Sequence, residues 1–263
     1  MVLEIVVGVL SHSLALLADA GHMATDAAAL GMTLAASWIA HQPATRTKTY
    51  GFYRTEILAA FLNGLTLWLI VVWIVYEAIQ RFLHPPVVRA PMMLATAIIG
   101  LVANLGCSWV LRPSRDQSLN MKSAYLHVLA DAVGSVSVIG AAAVIWLTRW
   151  YPADAVASLL VCAVILWGSW NLISESVNIL LEGTPAHIDV VEVMRAMQAT
   201  LGVKHVHDVH IWTITSGMEA MSGHVLVETL ADSHDVLKRL NAMLCERFRI
   251  HHTSLQVETG EGN

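Results

Sequence analysis

Charge is scarce in this chain. Only 13% of its 263 residues are Asp, Glu, Lys or Arg, against about 25% in an ordinary soluble domain. The shortage is uneven: charges are sparse from Val2 to Leu181 and frequent after Glu182. Cysteine is also rare. Cys107, Cys162 and Cys245 lie far apart with no Cys-x-x-Cys, which excludes a disulfide framework and a thiolate zinc knuckle, and buried apolar thiols are the ordinary reading. Basic residues are not in excess. Fifteen Lys and Arg against twenty Asp and Glu give a net charge of −5, with no basic stripe to follow phosphates, so nucleic acid is excluded as a partner. No His-Glu-x-x-His, nucleophile elbow or phosphate loop stands in a suitable context, so the chain is not expected to be an enzyme.

What the chain has in quantity is apolar length. Hydrophobic residues make up 56% of it and the mean hydropathy is +0.60. Long apolar runs at 14–40, 55–82, 90–111, 123–148 and 155–181 each reach the ~20 residues that a membrane-crossing helix requires. Residues 1–10 are apolar but too short to span. They lack the basic region and cleavage site of a signal peptide, and read as the back half of a spanning helix. Loops 41–54 and 112–122 carry three Lys or Arg each, and loops 83–90 and 149–154 one each. The excess of positive charge places the first pair in the cytoplasm. The last span then exits there, and the polar tail is cytoplasmic.

The expected organisation is a membrane domain at 1–182 and a tail domain at 183–263. In the tail, Ile188–Thr200 has helical periodicity, Val206–Ile214 and Gly223–Thr229 alternate as strands, Ser233–Arg247 is helical and Ser254–Glu258 is a short strand. The order α-β-β-α-β reads as a small ferredoxin-like sandwich of the α+β class. Eight of the thirteen histidines fall in this tail.

Two intramembrane copies of His-x-x-x-Asp, His22–Asp26 and His127–Asp131, are the most informative pattern. At i and i+4 the imidazole and the carboxylate share one helix face. An ionisable residue at membrane depth costs roughly 2.5–3.5 kcal/mol even on a lenient insertion scale, so four in matched pairs mark a function. Two such helices together offer two nitrogens and two oxygens, a tetrahedral set suited to Zn²⁺. Hydrogen bonding between helices is the competing reading. Asp19 stands on the same face as His22, either as an outer ligand or proton relay or as a carboxylate near the helix end. Asn63 and Asn104 read as interhelical hydrogen-bonding residues.

The stretches Ser13-Leu-Ala-Leu-Leu-Ala-Asp-Ala-Gly-His22, Tyr50-Gly-Phe-Tyr-Arg-Thr-Glu56, Leu62-Asn-Gly64, Leu181-Glu-Gly-Thr-Pro185 and Val206-His-Asp-Val-His-Ile-Trp212 resemble the cation diffusion facilitator family, in its zinc-efflux branch. The resemblance covers nearly the whole chain. It implies a homodimer with six transmembrane helices per subunit, here with the first shortened, and a cytoplasmic metal-binding domain. It also implies exchange of a divalent metal for protons, with His22, Asp26, His127 and Asp131 as the transport site. A histidine at position 22 resembles members that prefer zinc to manganese or iron. In the tail the resemblance maps metal ligands onto His207, His224, His234 and Glu258, with His251 and His252 as further candidates. Gln256 stands where some relatives have a ligating histidine. His205, His210 and Trp212 read as surface or dimer-interface residues. Arg54 and Glu182 stand where relatives tie bundle to tail by a charge pair. The histidine-rich loop of some relatives is absent from 41–54.

The expected function is proton-coupled export of Zn²⁺, with Cd²⁺, Co²⁺ and Ni²⁺ as further possible cargo, from the cytoplasm across a bacterial inner membrane. A membrane-embedded metal sensor that moves no ions, or a carrier whose main ion is another divalent metal, is the alternative.

Overall fold

The computed structural model describes residues 1–114, 119–215, 217–229 and 233–260. Six helices come first: α1 (Val2–Ser11), α2 (Leu14–Ala40), α3 (Arg54–Leu83), α4 (Ala90–Leu111), α5 (Leu119–Thr148) and α6 (Pro152–Leu180). The tail follows as α7 (Val190–Gln198), β1 (Val203–Thr215), β2 (Met218–Val227), α8 (Ser233–Phe248) and β3 (His252–Thr259). The chain falls into two units, Met1–Met32 with Leu62–Leu172, and Thr33–Phe61 with Ile173–Asn263.

Among the described residues four helices are long and apolar enough to cross a membrane: Arg54–Leu83, Ala90–Leu111, the Tyr125–Thr148 part of α5, and Pro152–Leu180. Their outer surfaces are apolar. Trp109, Leu147 and Trp167 are 77%, 85% and 83% exposed, which suits hydrocarbon and would be costly in water. The 27-residue α2 is of similar length but is not one of the four. Asp19, His22 and Asp26 interrupt it, and alanine and glycine fill much of the rest. Helix α1 is ten residues long and closes on His12, whose left-handed backbone (φ 58°) ends the helix as a glycine commonly does.

Within the first unit small residues bring the helices together. Ala15, Ala97, Ala141, Ala142 and Ala157 are buried around Met93 and Val138. A second cluster joins Leu14 and Ala18 of α2 to Leu67, Val71 and Ile74 of α3 and Val161, Cys162 and Ile165 of α6. Such residues let helix backbones approach closely, which short ligand side chains need in order to meet.

In the tail, β1 and β2 form an antiparallel hairpin, and β3 lies parallel to β2, giving the order β1-β2-β3. A parallel neighbour requires a crossover, and α8 provides it. Helix α7 starts at Asp189, whose carboxylate accepts from the Val191 N–H. The buried faces of both helices meet the sheet: Val193 and Met197, and Val236, Leu240 and Leu244, pack on Val206, Ile211, Met221 and Val225. Each fully buried Leu or Val of this kind contributes roughly 1.5–3 kcal/mol. The predicted order α-β-β-α-β is the observed order of elements. Strand β2 starts at Met218, five residues earlier than the pattern predicts, because Thr215 pairs directly with Met218 across a turn with Gly217 at φ 76°. Helix α5 starts at Leu119 rather than 123.

Candidate metal centre

The i, i+4 spacing does what helix geometry demands. His22 and Asp26 share a face of α2, and His127 and Asp131 a face of α5. His22 Nε2 lies 3.6 Å from Asp26 Oδ2 and 3.6 Å from Asp131 Oδ1. His127 Nε2 lies 3.2 Å from Asp26 Oδ2 and 3.8 Å from Asp131 Oδ2. Each carboxylate therefore reaches both imidazoles, one from its own helix and one from the other. The two rings meet edge to face, 5.7 Å between centroids. His22, Asp26 and His127 hold their ligand atoms within 4.8 Å of one another; Asp131 lies outside that group but beside it, with Oδ1 toward His22 and Oδ2 toward His127.

These separations have a chemical meaning. Three of the four exceed a hydrogen bond. A Zn²⁺ ion bound at about 2.0–2.1 Å by four tetrahedral ligands sets neighbouring ligand atoms about 3.3–3.4 Å apart, in the range found here. His22 Nδ1 and Asp131 Oδ1 are buried without a hydrogen-bond partner among the described residues, a costly state unless another group satisfies them. His22 and Asp131 side chains are each 17% exposed, Asp26 31% and His127 48%, so the cluster is open on the His127 side. Asp19, one turn before His22, is 7% exposed.

A second cluster lies on the tail sheet. His207 and His224 are direct cross-strand partners, and Gln256 pairs with His224 on the other side. Side chains opposite one another in paired strands stand on the same face, so His207, His224 and Glu258 converge with ligand atoms within 4.8 Å. His224 Nδ1 is 2.7 Å and His207 Nε2 3.6 Å from Glu258. The Gln256 amide donates to Glu258 at 2.9 Å, and His207 Nδ1 is buried without a partner among the described residues.

His234 stands apart from this group. It is exposed in the first turn of α8 and is not among the converging ligand atoms. His251 instead faces Cys245, Sγ to Nδ1 3.2 Å, and His252 is exposed at the start of β3. His205 stacks on His207 at 5.9 Å.

Two residues escaped the sequence reading. A bulge in β1 between His207 and His210 puts Asp208 in a left-handed conformation (φ 51°) and aims its carboxylate at His210 Nε2 (3.0 Å) and His224 Nε2 (3.7 Å). The sequence signal is the interrupted alternation of Val206, Val209 and Ile211, spaced three and then two apart. The other is Asp154, in the first turn of α6, which is 1% exposed and bonds the start of α2. Arg54 and Glu182 form the pair expected of them, Nη2 to Oε1 2.9 Å.

An apolar helix bundle that brings together paired imidazoles and carboxylates, followed by a small sheet domain with its own His/Glu cluster, has the features of a membrane carrier of metal cations. The family comparisons agree. The profile of the cation efflux transmembrane domain matches residues 1–181, and that of the cation efflux protein cytoplasmic domain matches 185–260. The cadmium, cobalt and zinc/H(+)-K(+) antiporter of Bacillus subtilis (strain 168) is 43% identical over 268 residues, covering all of this chain and 86% of that protein. The metal cation efflux system protein CzcD of Cupriavidus metallidurans is 42% identical over 98% of this chain and 82% of its own. Zinc transporter ZitB of Escherichia coli (strain K12) is 43% identical over 98% and 83%. Among solved structures, the metal-bound C-terminal domain of the CzcD transporter matches 27% of this chain and 99% of its own length at 40% identity, with a TM-score of 0.26. The chain belongs to the cation efflux, or cation diffusion facilitator, family of metal-cation transporters, in its zinc branch.

Proposed function

We propose that the chain exports Zn²⁺ from the cytoplasm in exchange for protons, with His22, Asp26, His127 and Asp131 as the transport site. The observation that carries this is the cross-pairing of two imidazoles and two carboxylates at 3.2–3.8 Å, close to the edge of a zinc tetrahedron. Two nitrogens and two oxygens also suit Cd²⁺, Co²⁺ and Ni²⁺, in keeping with the name of the Bacillus relative.

Metal binding needs neutral imidazole and ionised carboxylate, so each ion bound displaces protons. Exposed to the more acidic side, the same ligands take up protons and release the ion. An inward proton gradient thus drives metal outward. Four protein ligands leave no open position for a hydrolytic water, so the site carries and does not catalyse.

In this reading α1–α6 form the six-helix membrane domain (1–182), with α2 spanning despite its polar face. Residues 183–263 form a ferredoxin-like domain in the cytoplasm of a bacterial cell, and the chain works as a homodimer in the inner membrane. The His207, His224, Glu258 cluster senses cytoplasmic metal. The experiment is Zn²⁺ flux in proteoliposomes under an imposed pH gradient, with Asp26→Ala beside the natural chain. Gradient-driven flux lost in the variant is the expected result. Flux retained in Asp26→Ala overturns the site, and zinc binding without flux in the natural chain favours a sensor.

A further inference from the structure

Within the second unit, a cavity of about 420 Å³ opens between the 47–55 segment and β1. Its charged lining is Lys48, Arg54 and Glu182. Residues 41–54 contain Arg46, Lys48 and Arg54 and no acidic residue; the carboxylate that follows, Glu56, is outside the lining and accepts the Thr215 hydroxyl at 3.1 Å. The one carboxylate in the lining, Glu182, is already shared with Arg54 at 2.9 Å. Lys48 makes no ion pair among the described residues; its ammonium lies 5.8 Å from the Phe52 ring centroid, where the ring face attracts it without neutralising it. Thr47 and Thr49 add hydroxyl donors to the same wall. This lining repels a metal cation and favours an anion.

The remaining walls are apolar and aromatic. Leu58, on the first turns of the membrane-capable α3, is 45% exposed, and Tyr50 and Tyr53 are 63% and 37% exposed. Trp212 and Ile214 of β1 close the other side. Basic residues with tyrosine and tryptophan at the end of an apolar helix are what the interfacial layer of a bilayer selects. A cationic pocket joined to an apolar wall suits an amphiphile better than a free anion.

We propose that this cavity binds the phosphate headgroup of an anionic membrane phospholipid, with Lys48 and Arg54 on the phosphate and the acyl chains along Leu58. The bound headgroup shares Arg54 with Glu182, so membrane composition bears directly on that charge pair.

The test uses the full chain in a neutral detergent. Dioctanoyl phosphatidylglycerol, dioctanoyl phosphatidylcholine and free sn-glycerol 3-phosphate are titrated separately, and bound ligand is read by native mass spectrometry. The expected result is preferential retention of phosphatidylglycerol. Affinity should fall about fivefold in Lys48→Gln, the weight of one basic residue at an anionic surface. It should be kept in Lys48→Arg and in Lys238→Gln, a change on the exposed face of α8. Equal binding of the two lipids overturns the proposal, as does unchanged phosphatidylglycerol affinity in Lys48→Gln. Loss in Lys48→Arg as well overturns the charge argument, and glycerol phosphate bound as tightly as the lipid makes the pocket one for a soluble phosphate instead.

Discussion

Ser13 Oγ donates to Asp154 Oδ1 at 2.6 Å, across 141 residues of sequence. The same carboxylate accepts the Leu14 N–H at 2.6 Å and the Ala15 N–H at 3.3 Å. Ser13 itself accepts the Leu16 N–H at 3.2 Å. The first turn of α2 is therefore capped twice, once by its own serine and once by a residue of α6. Arg81 of α3 stands 3.6 Å from Asp154, so three helices converge on one buried carboxylate. This joint fixes the end of the helix that carries His22 and Asp26.

Replacing Asp154 by Ala removes the acceptor for two backbone N–H groups and a hydroxyl in a site that water does not reach. A lost cap costs about 0.5–2 kcal/mol, and Arg81 is left without its buried partner. The melting temperature of the purified protein in detergent should fall clearly in Asp154→Ala and less in Ser13→Ala, which leaves both backbone bonds to Asp154 in place. Equal melting temperatures for Asp154→Ala and the natural chain would show that the cap carries no stability.

His22→Asp changes the transport site from two nitrogens and two oxygens to one and three. Imidazole suits zinc, whereas carboxylate suits harder ions such as Mn²⁺. The ratio of Zn²⁺ to Mn²⁺ flux, measured in one proteoliposome preparation, should fall by tenfold or more, about 1.4 kcal/mol of discrimination. An unchanged ratio would mean that position 22 does not set selectivity.

Zinc affinity should fall as pH falls. The sign follows from competition: a protonated imidazole has no lone pair to give, and a protonated carboxyl is a poor ligand. Below the ordinary imidazole range, near ~6.5, two competing histidines lower the apparent affinity up to about 100-fold per pH unit. Calorimetry in buffers of different ionisation enthalpy counts the released protons directly. Release of no protons at any pH would remove the basis for proton exchange.

Much of this was legible in the sequence, for identifiable reasons. The extents of helices α2, α3, α4 and α6 follow apolar runs bounded by Pro43, Pro85, Pro86 and Pro113 and by basic loops. The i, i+4 spacing puts each His/Asp pair on one helix face, whereas the approach of α2 to α5 that brings the two faces together is a matter of packing. The sheet cluster was legible in part. Cross-strand pairing of His207 with His224 needs only a hairpin register, but Asp208 enters through a bulge that changes which face a residue occupies. His234 is a ligand by the resemblance, and in the structure it stands exposed in the first turn of α8, outside the converging three. Asp154 was illegible because its partners lie on another helix, and no local pattern marks a cap supplied from a distance.

Arg54 and Glu182 are 38% and 62% exposed, so their pair contributes only ~0–1 kcal/mol to stability. Its worth is positional. Arg54 opens α3 and Glu182 follows α6 with a left-handed backbone (φ 58°). Arg54→Glu and Glu182→Arg should each lower zinc flux at nearly unchanged melting temperature, and the double exchange should restore much of it. Additive losses in the double variant would show that the two residues act separately.

The tail cluster makes a sharper claim about which histidines hold metal. His224 touches Glu258 at 2.7 Å and Asp208 at 3.7 Å, while His234 lies outside the converging set. In an Asp26→Ala, Asp131→Ala background, which removes both carboxylates from the membrane site, calorimetry reads the tail domain in the full chain. His224→Ala should abolish that binding, because it removes the ligand between two carboxylates. Asp208→Asn should weaken it, by taking a negative charge from beside the imidazoles. His234→Ala should leave the protomer's own cluster intact, and any affinity lost then reports what a second subunit adds. Full binding kept in His224→Ala would displace the cluster from its sheet face, and complete loss in His234→Ala would require a ligand set built across the dimer.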